Sequence, residues 1–174
     1  MPRLKSETKA SKYTALAYLF ADDLTRSGLL MAINPIIYIV DDGADYRFLL
    51  QQVFSRFLPD FRVQFFESGT HLHQHILTAT SSPVSQNRPA FILLDLNMPG
   101  LSGLQTLILL KQQSAWRQVP VIMMTSEGSE EEVRQCYSEG VNSLILKPTD
   151  FWVLKSTIVD ICQYWTRLNH LTYS

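Results

Sequence analysis

From Pro35 onward the chain alternates short runs of consecutive apolar residues with longer stretches in which apolar positions recur at a helical period. The runs are "IIYIV" (36–40), "RVQFF" (62–66), "FILLD" (91–95), "VPVIMMT" (119–125) and "SLILK" (143–147). Most are apolar on both sides rather than one, the pattern of strands in a parallel sheet covered on both faces. Between them, 44–58, 68–80, 102–114, 128–139 and 150–169 read as helices, which makes five β-α units. Strand and helix in strict alternation, joined by right-handed crossovers, fold as a doubly wound α/β sandwich.

Local signals support these boundaries. Pro59 and Asp60 close the first helix region, Ser68 and Ser102 suit helix N-caps, and "SSPVSQNRP" (81–89) reads as a loop. Gly128 and Ser129 precede Glu130, Glu131 and Glu132, acids in a first turn where the helix dipole favours them. Gly140 fits the position just past that helix, and Thr149 or Asp150 can cap the last one.

In an open α/β sheet, ligands bind beyond the carboxyl ends of the strands. The unusual polar residues fall there: Asp41 and Asp42 after the first strand, Asp95 ending the third, Thr125 and Ser126 after the fourth, Lys147 after the fifth. Three carboxylates at neighbouring strand ends repel one another and raise each other's pKa unless a cation joins them. A hard divalent ion that keeps several waters, Mg²⁺, suits such a set together with phosphate oxygens. Asp95, fixed at the end of a buried strand, can then attack phosphorus, while the metal, Lys147 and Thr125 stabilise the charge spread over the transferring group. Any one of these residues alone would be a cap or loop residue; their joint placement, one set per strand end, carries the signal.

Composition narrows the range further. The net charge of −1 and pI near 6.4 leave no basic excess for nucleic-acid phosphates, so no nucleic-acid partner is expected. No apolar run approaches the roughly 18 residues of a membrane helix. Cys136 and Cys162 lack metal-ligand spacing and read as reduced, semi-buried thiols. The 174 residues suffice for one domain, placed at 35–169, with an extension at 1–34 and a tail at 170–174. The extension reads as a disordered or short helical leader: its basic start before "YTALAYLFA" loosely imitates a signal peptide, but Asp22 and Asp23 follow directly, and Met31 offers an alternative start.

The stretches "IVDDG", "LLDLNMPGLSG", "MMTSEG" and "LILKP" resemble, in order and on the expected strand ends, the receiver domain of two-component response regulators, over roughly residues 35 to 168. The resemblance implies a flavodoxin-like sheet of order 2-1-3-4-5. It implies that Asp95 accepts a phosphoryl group from the phosphohistidine of a sensor histidine kinase or a histidine phosphotransfer protein. It further implies that Asp42, Asp95 and the main-chain carbonyl of Asn97 bind Mg²⁺, or Mn²⁺ in its place, with Asp41 assisting through water. Thr125 would swing toward the phosphoryl group and Lys147 pair with it, across a Lys147–Pro148 bond that is often cis in the family; Gly103 matches the glycine that opens the third helix. A bacterial cytoplasm follows from the family alone.

One departure stands out: the aromatic that the family carries three residues before the lysine is Leu144 here, so the family's coupling of threonine to aromatic is not expected, and shifts of the loop after Thr125 and of the following helix are the alternative route of activation. Asn97 and Glu127 flank the path of the water that would hydrolyse the acyl phosphate and should admit it, so the phosphorylated state should decay by itself. The 27 residues after Lys147 leave no room for an output domain, so a stand-alone receiver is expected. It would act through an unidentified downstream protein, a phosphotransfer partner, or homodimerisation on the last helices and strand, where Phe151, Trp152, Tyr164 and Trp165 are more aromatic than packing requires. "HLHQH" (71–75) reads as a partly solvated helix face, and Met98, Met123 and Met124 as fillers. Three rivals compete: an FMN-binding flavodoxin, which "DDGAD" would repel; a haloacid-dehalogenase-type phosphohydrolase, which needs an acid where Asn97 stands; and a degenerate receiver kept for docking.

Overall fold

The computed structural model describes residues 34–79 and 88–169. Five strands, β1 (Ile36–Val40), β2 (Arg62–Phe66), β3 (Phe91–Asp95), β4 (Val121–Thr125) and β5 (Ser143–Leu146), form one sheet of order β2-β1-β3-β4-β5. All four pairings are parallel. The helices are α1 (Ala44–Phe57), α2 (Gly69–Ala79), α3 (Gly103–Gln112), α4 (Glu130–Ser138) and α5 (Phe151–Gln163), the last running on into a π-helical stretch, Tyr164–Leu168. The doubly wound α/β architecture expected from the sequence is the one observed. The read loop at 81–89 lies mostly, and the leader and tail almost wholly, outside the described residues.

The apolar runs are continuous because each central strand feeds two cores in alternation. Tyr38, Val40, Ile92, Leu94, Val121 and Met123 face Leu72 and Ile76 of α2, Leu107 and Leu110 of α3, and Cys136 of α4. Their neighbours Ile37, Ile39, Phe91, Leu93, Ile122 and Met124 face Leu50, Val53 and Phe54 of α1 and Leu154, Ile158 and Cys162 of α5. Successive side chains of a strand point to opposite faces, so a strand covered on both sides must be apolar throughout. Burying each such side chain stabilises the fold by about 1.5–3 kcal/mol. The edge strands β2 and β5 are only partly covered, which explains Arg62, Gln64 and Ser143 there.

Most boundaries fall within two residues of expectation, and the differences have local causes. The fourth strand starts at Val121 rather than 119, because the Val119 N–H is bonded to the Trp116 carbonyl and Pro120 has no N–H to give. Ser102 and Ser129 both form complete capping boxes, with Gln105 and Glu132 respectively. The α4 helix therefore starts after Ser129, not at Gly128. Asp150 caps α5 by accepting from the Trp152 and Val153 amides at 2.8 and 3.0 Å. Gly140 adopts φ of 85°, the left-handed conformation that ends α4. Both cysteines are free and fully buried rather than semi-buried, and burial pushes the Cys162 thiol up to about 12. The methionines 98, 123 and 124 are core residues, as expected.

Candidate functional site

The sheet brings four charged side chains to one edge. Asp41 and Asp42 leave β1, Asp95 ends β3, and Lys147 follows β5, its N–H still bonded to the Thr125 carbonyl at 2.8 Å. Asp41 and Asp95 are only 3 % and 5 % exposed, and Asp42 is open to solvent. Each of the three acids offers a carboxylate oxygen, all within 4.8 Å of one another. Lys147 reaches over from the far side of β4 and places Nζ 2.8 Å from Asp41 Oδ2 and 2.7 Å from Asp95 Oδ2. Lys147 thus places one positive charge between the two buried acids.

The remaining carboxylate oxygens are held by main-chain donors. Asp41 Oδ1 accepts from the Gly43 amide at 2.9 Å, and Asp95 Oδ1 from the Asn97 amide at 3.2 Å. Arg47 donates to the Asp41 carbonyl at 2.6 Å and approaches Glu67 at 3.7 Å, tying α1 to the loop after β2. Burial pushes the Asp95 carboxyl above its ordinary pKa, with Lys147 pulling the other way. Burial also penalises the Lys147 ammonium, but Asp41 and Asp95 outweigh it and hold the amine above its ordinary value. Two desolvated acids sharing one lysine make a pocket that still favours a further positive charge.

Thr125 is fully buried, and its hydroxyl is turned to its own loop: it donates to the Glu127 carbonyl and accepts from the Glu127 amide at 3.2 Å. Asn97 Nδ2 donates to both Thr125 Oγ1, at 3.2 Å, and the Glu127 carbonyl, at 3.1 Å. Asn97 is therefore a latch between the loops after β3 and β4, a side-chain role that the sequence reading did not assign. The Lys147–Pro148 bond is not cis; the described residues contain no cis peptide. Trans is the default for X-Pro, and the lysine is aimed instead by its strand pairing and two ion pairs.

Gly103 secures the geometry from below. A Cβ there would lie 2.1 Å from the Asp95 carbonyl oxygen and 2.7 Å from Leu96 Cα, while its N–H bonds to Leu96 O at 2.9 Å. Gly103→Ala should cost about 1–3 kcal/mol in urea unfolding, the usual penalty of overpacking, because backbone rather than a flexible side chain must yield. An unfolding midpoint equal to wild type would show the contact to be slack.

Other expectations are resolved here. His71 lies edge-on to the Phe66 ring and His75 is tilted against it, with His75 Nε2 hydrogen-bonded to the Tyr38 hydroxyl at 3.0 Å, while His71 and Gln74 are exposed, so the "HLHQH" run is a partly solvated helix face as expected. Leu144 is partly buried against the α2–α3–α4 core. Of the α5 aromatics, Phe151 and Trp165 pack on the opposite core, while Trp152 and Tyr164 are 65 % and 50 % exposed. A groove of about 310 Å³ between α1 and α5, lined by Phe57, Phe61, Lys155 and Val159, shares no residue with the acid cluster. Among the described residues, no helix is long and apolar enough to cross a membrane.

The response regulator receiver domain matches residues 37–159. The chain is 29 % identical over 147 residues, 84 % of its length and 94 % of the relative's, to the probable methanogenesis regulatory protein FilR2 of Methanothrix harundinacea. Among solved structures it is similar to the phosphorylated cyanobacterial phytochrome response regulator RcpA (TM-score 0.70, 22 % identity, 81 % of this chain and 100 % of that one). It is also similar to the Mn²⁺-bound form of response regulator Rcp1 (TM-score 0.68, 25 % identity, 80 % of this chain and 99 % of that one).

Proposed function

Because this chain belongs to the response regulator receiver family, we propose that Asp95 is its phosphoacceptor and that it relays a signal from a histidine kinase or histidine phosphotransfer protein. The observation that supports this most is the buried pair Asp41 and Asp95 bridged by Lys147 at the carboxyl edge of the sheet. An ionised Asp95 oxygen attacks phosphorus, the new O–P bond forms as the N–P bond of phosphohistidine breaks, and the leaving imidazole keeps the bonding electrons and takes a proton from solvent.

The acid set fits a hard divalent ion, since its donors are oxygens, two are buried, and they converge within ion-binding distance. Asp41, Asp42, Asp95 and the main-chain carbonyl of Asn97 would hold Mg²⁺ or Mn²⁺, which supplies positive charge opposite the phosphoryl oxygens. Lys147 then exchanges a carboxylate for a phosphoryl oxygen. Thr125 exchanges its bond to the Glu127 carbonyl for one to the phosphoryl group, so that the Asn97 latch and the loop before α4 must shift. That shift replaces the aromatic lever missing at Leu144. The exposed Leu146, Trp152 and Val153 on β5 and α5 provide a surface for a downstream protein or a second copy.

The phosphohydrolase reading is weaker because Asn97, two residues beyond the nucleophile, has an amide in place of the carboxyl that would act as general acid, and that amide is engaged as the latch. Acetyl phosphate with Mg²⁺ should add one phosphoryl group by intact-mass measurement, and chelation of the metal should prevent it. Absence of any gain with metal present would refute the proposal.

A further inference from the structure

Tyr46, in the first turn of α1, lies beside the acid cluster and was not anticipated from the sequence. Its ring carries the Lys147 ammonium, with Nζ 4.8 Å from the centroid, the same Nζ that bridges Asp41 and Asp95. A cation over a sheltered aromatic face is attracted by the ring quadrupole, so the ring and the two acids hold the lysine from different sides. The Tyr46 hydroxyl is buried and has no hydrogen-bond partner. An orphaned buried hydroxyl costs about 1–3 kcal/mol and calls for a reason. Phenylalanine would supply the same ring without that cost. Each Asp41 and Asp95 carboxylate oxygen already accepts from Lys147 or a main-chain amide, and none of them accepts from the phenol.

We propose that Tyr46 is a positioning residue for the phosphorylated state: its ring seats Lys147, and its hydroxyl gains an acceptor when phosphoryl oxygens arrive on Asp95. The inference rests on the assignment of Asp95 as phosphoacceptor. A phosphoryl group draws Lys147 off a carboxylate and brings in three anionic oxygens, each with more than one lone pair, so that acceptor sites remain for a phenol donor after Lys147 and Thr125 have bound. Burial and the charges of Asp41 and Asp95 push the phenol pKa upward, so the group remains a donor at neutral pH. An aromatic that responds to phosphorylation is thereby supplied from the first turn of α1 instead of from position 144.

The test compares wild type with Tyr46→Phe, which keeps the ring, and Tyr46→Leu, which removes it. Each is titrated with beryllium fluoride in Mg²⁺, and the lifetime of the phosphoryl group is followed by intact mass after acetyl phosphate is removed. Tyr46→Phe should unfold at the wild-type temperature or above it, yet bind beryllium fluoride roughly tenfold more weakly and lose its phosphoryl group faster, as the deletion of one charge-assisted hydrogen bond requires. Tyr46→Leu should in addition be phosphorylated more slowly, because Lys147 loses its seat. A purely structural residue would lower the melting temperature without changing the affinity of the folded protein. Wild-type loading with an unchanged Tyr46→Phe affinity overturns this inference alone; a wild type that takes up neither beryllium fluoride nor phosphoryl overturns the parent assignment with it.

Discussion

Asp95→Asn should abolish phosphoryl incorporation from acetyl phosphate without loss of the fold. The amide is isosteric but has no anionic oxygen to attack phosphorus, so the expected loss is to the detection limit and not a modest slowing. The stability consequence runs the other way. Asp95 binds its proton more readily folded than unfolded, because burial raises its pKa against the pull of Lys147. Such a carboxyl subtracts stability as pH rises through and above its ordinary range, whereas an amide does not titrate. In metal-free buffer, wild type should therefore lose stability relative to Asp95→Asn as pH increases from acid toward neutrality. Lys147 stays paired with Asp41 in the variant, so no buried charge is stranded. A phosphoryl group retained by Asp95→Asn would place the acceptor elsewhere, and a collapse of the variant at neutral pH would show the carboxylate to be structural.

Lys147→Met should be the most damaging single change at the site in the absence of metal. Its side chain is 11 % exposed, and the ammonium sits between two carboxylates whose side chains are more deeply buried still. Removing one partner of a buried ion pair typically costs about 3–5 kcal/mol, since the remaining charges are left uncompensated in a poorly solvating environment. A divalent ion binding Asp41, Asp42 and Asp95 would replace the missing charge. At a hundredfold excess over its dissociation constant, binding to the native state alone returns about 2.7 kcal/mol. Urea unfolding with and without Mg²⁺ should thus show a larger stabilisation by metal in Lys147→Met than in wild type. Equal Mg²⁺ effects in the two proteins would mean that the ion and the ammonium do not answer to the same carboxylates.

How far the sequence reached depends on what each feature rests on. The strands were legible because two-sided burial forces unbroken apolar runs, and the site acids were legible because a carboxylate at the end of such a run has no packing reason to be there. Where the outcome turned on tertiary contacts, the sequence fell short. Pro120 shortened the fourth strand through a missing donor whose effect depends on where Trp116 lies. The Asn97 latch requires two loops from different strands to meet, and one-dimensional spacing does not contain that distance. Tyr46 could have been suspected, since the first turn after "DDG" must stand over the same sheet edge, but its orphan hydroxyl and its place beneath Lys147 exist only in three dimensions.

The central claim, that these strand ends form one phosphoryl-accepting pocket, is tested most directly by a crystal structure grown with Mg²⁺ and beryllium fluoride. Beryllium is expected on a carboxylate oxygen of Asp95, with the ion touching Asp41, Asp42, Asp95 and the Asn97 carbonyl, and with Lys147 and Thr125 on fluorine. Beryllium bound elsewhere, or Lys147 still bridging Asp41 and Asp95 with both reagents in excess, would contradict it.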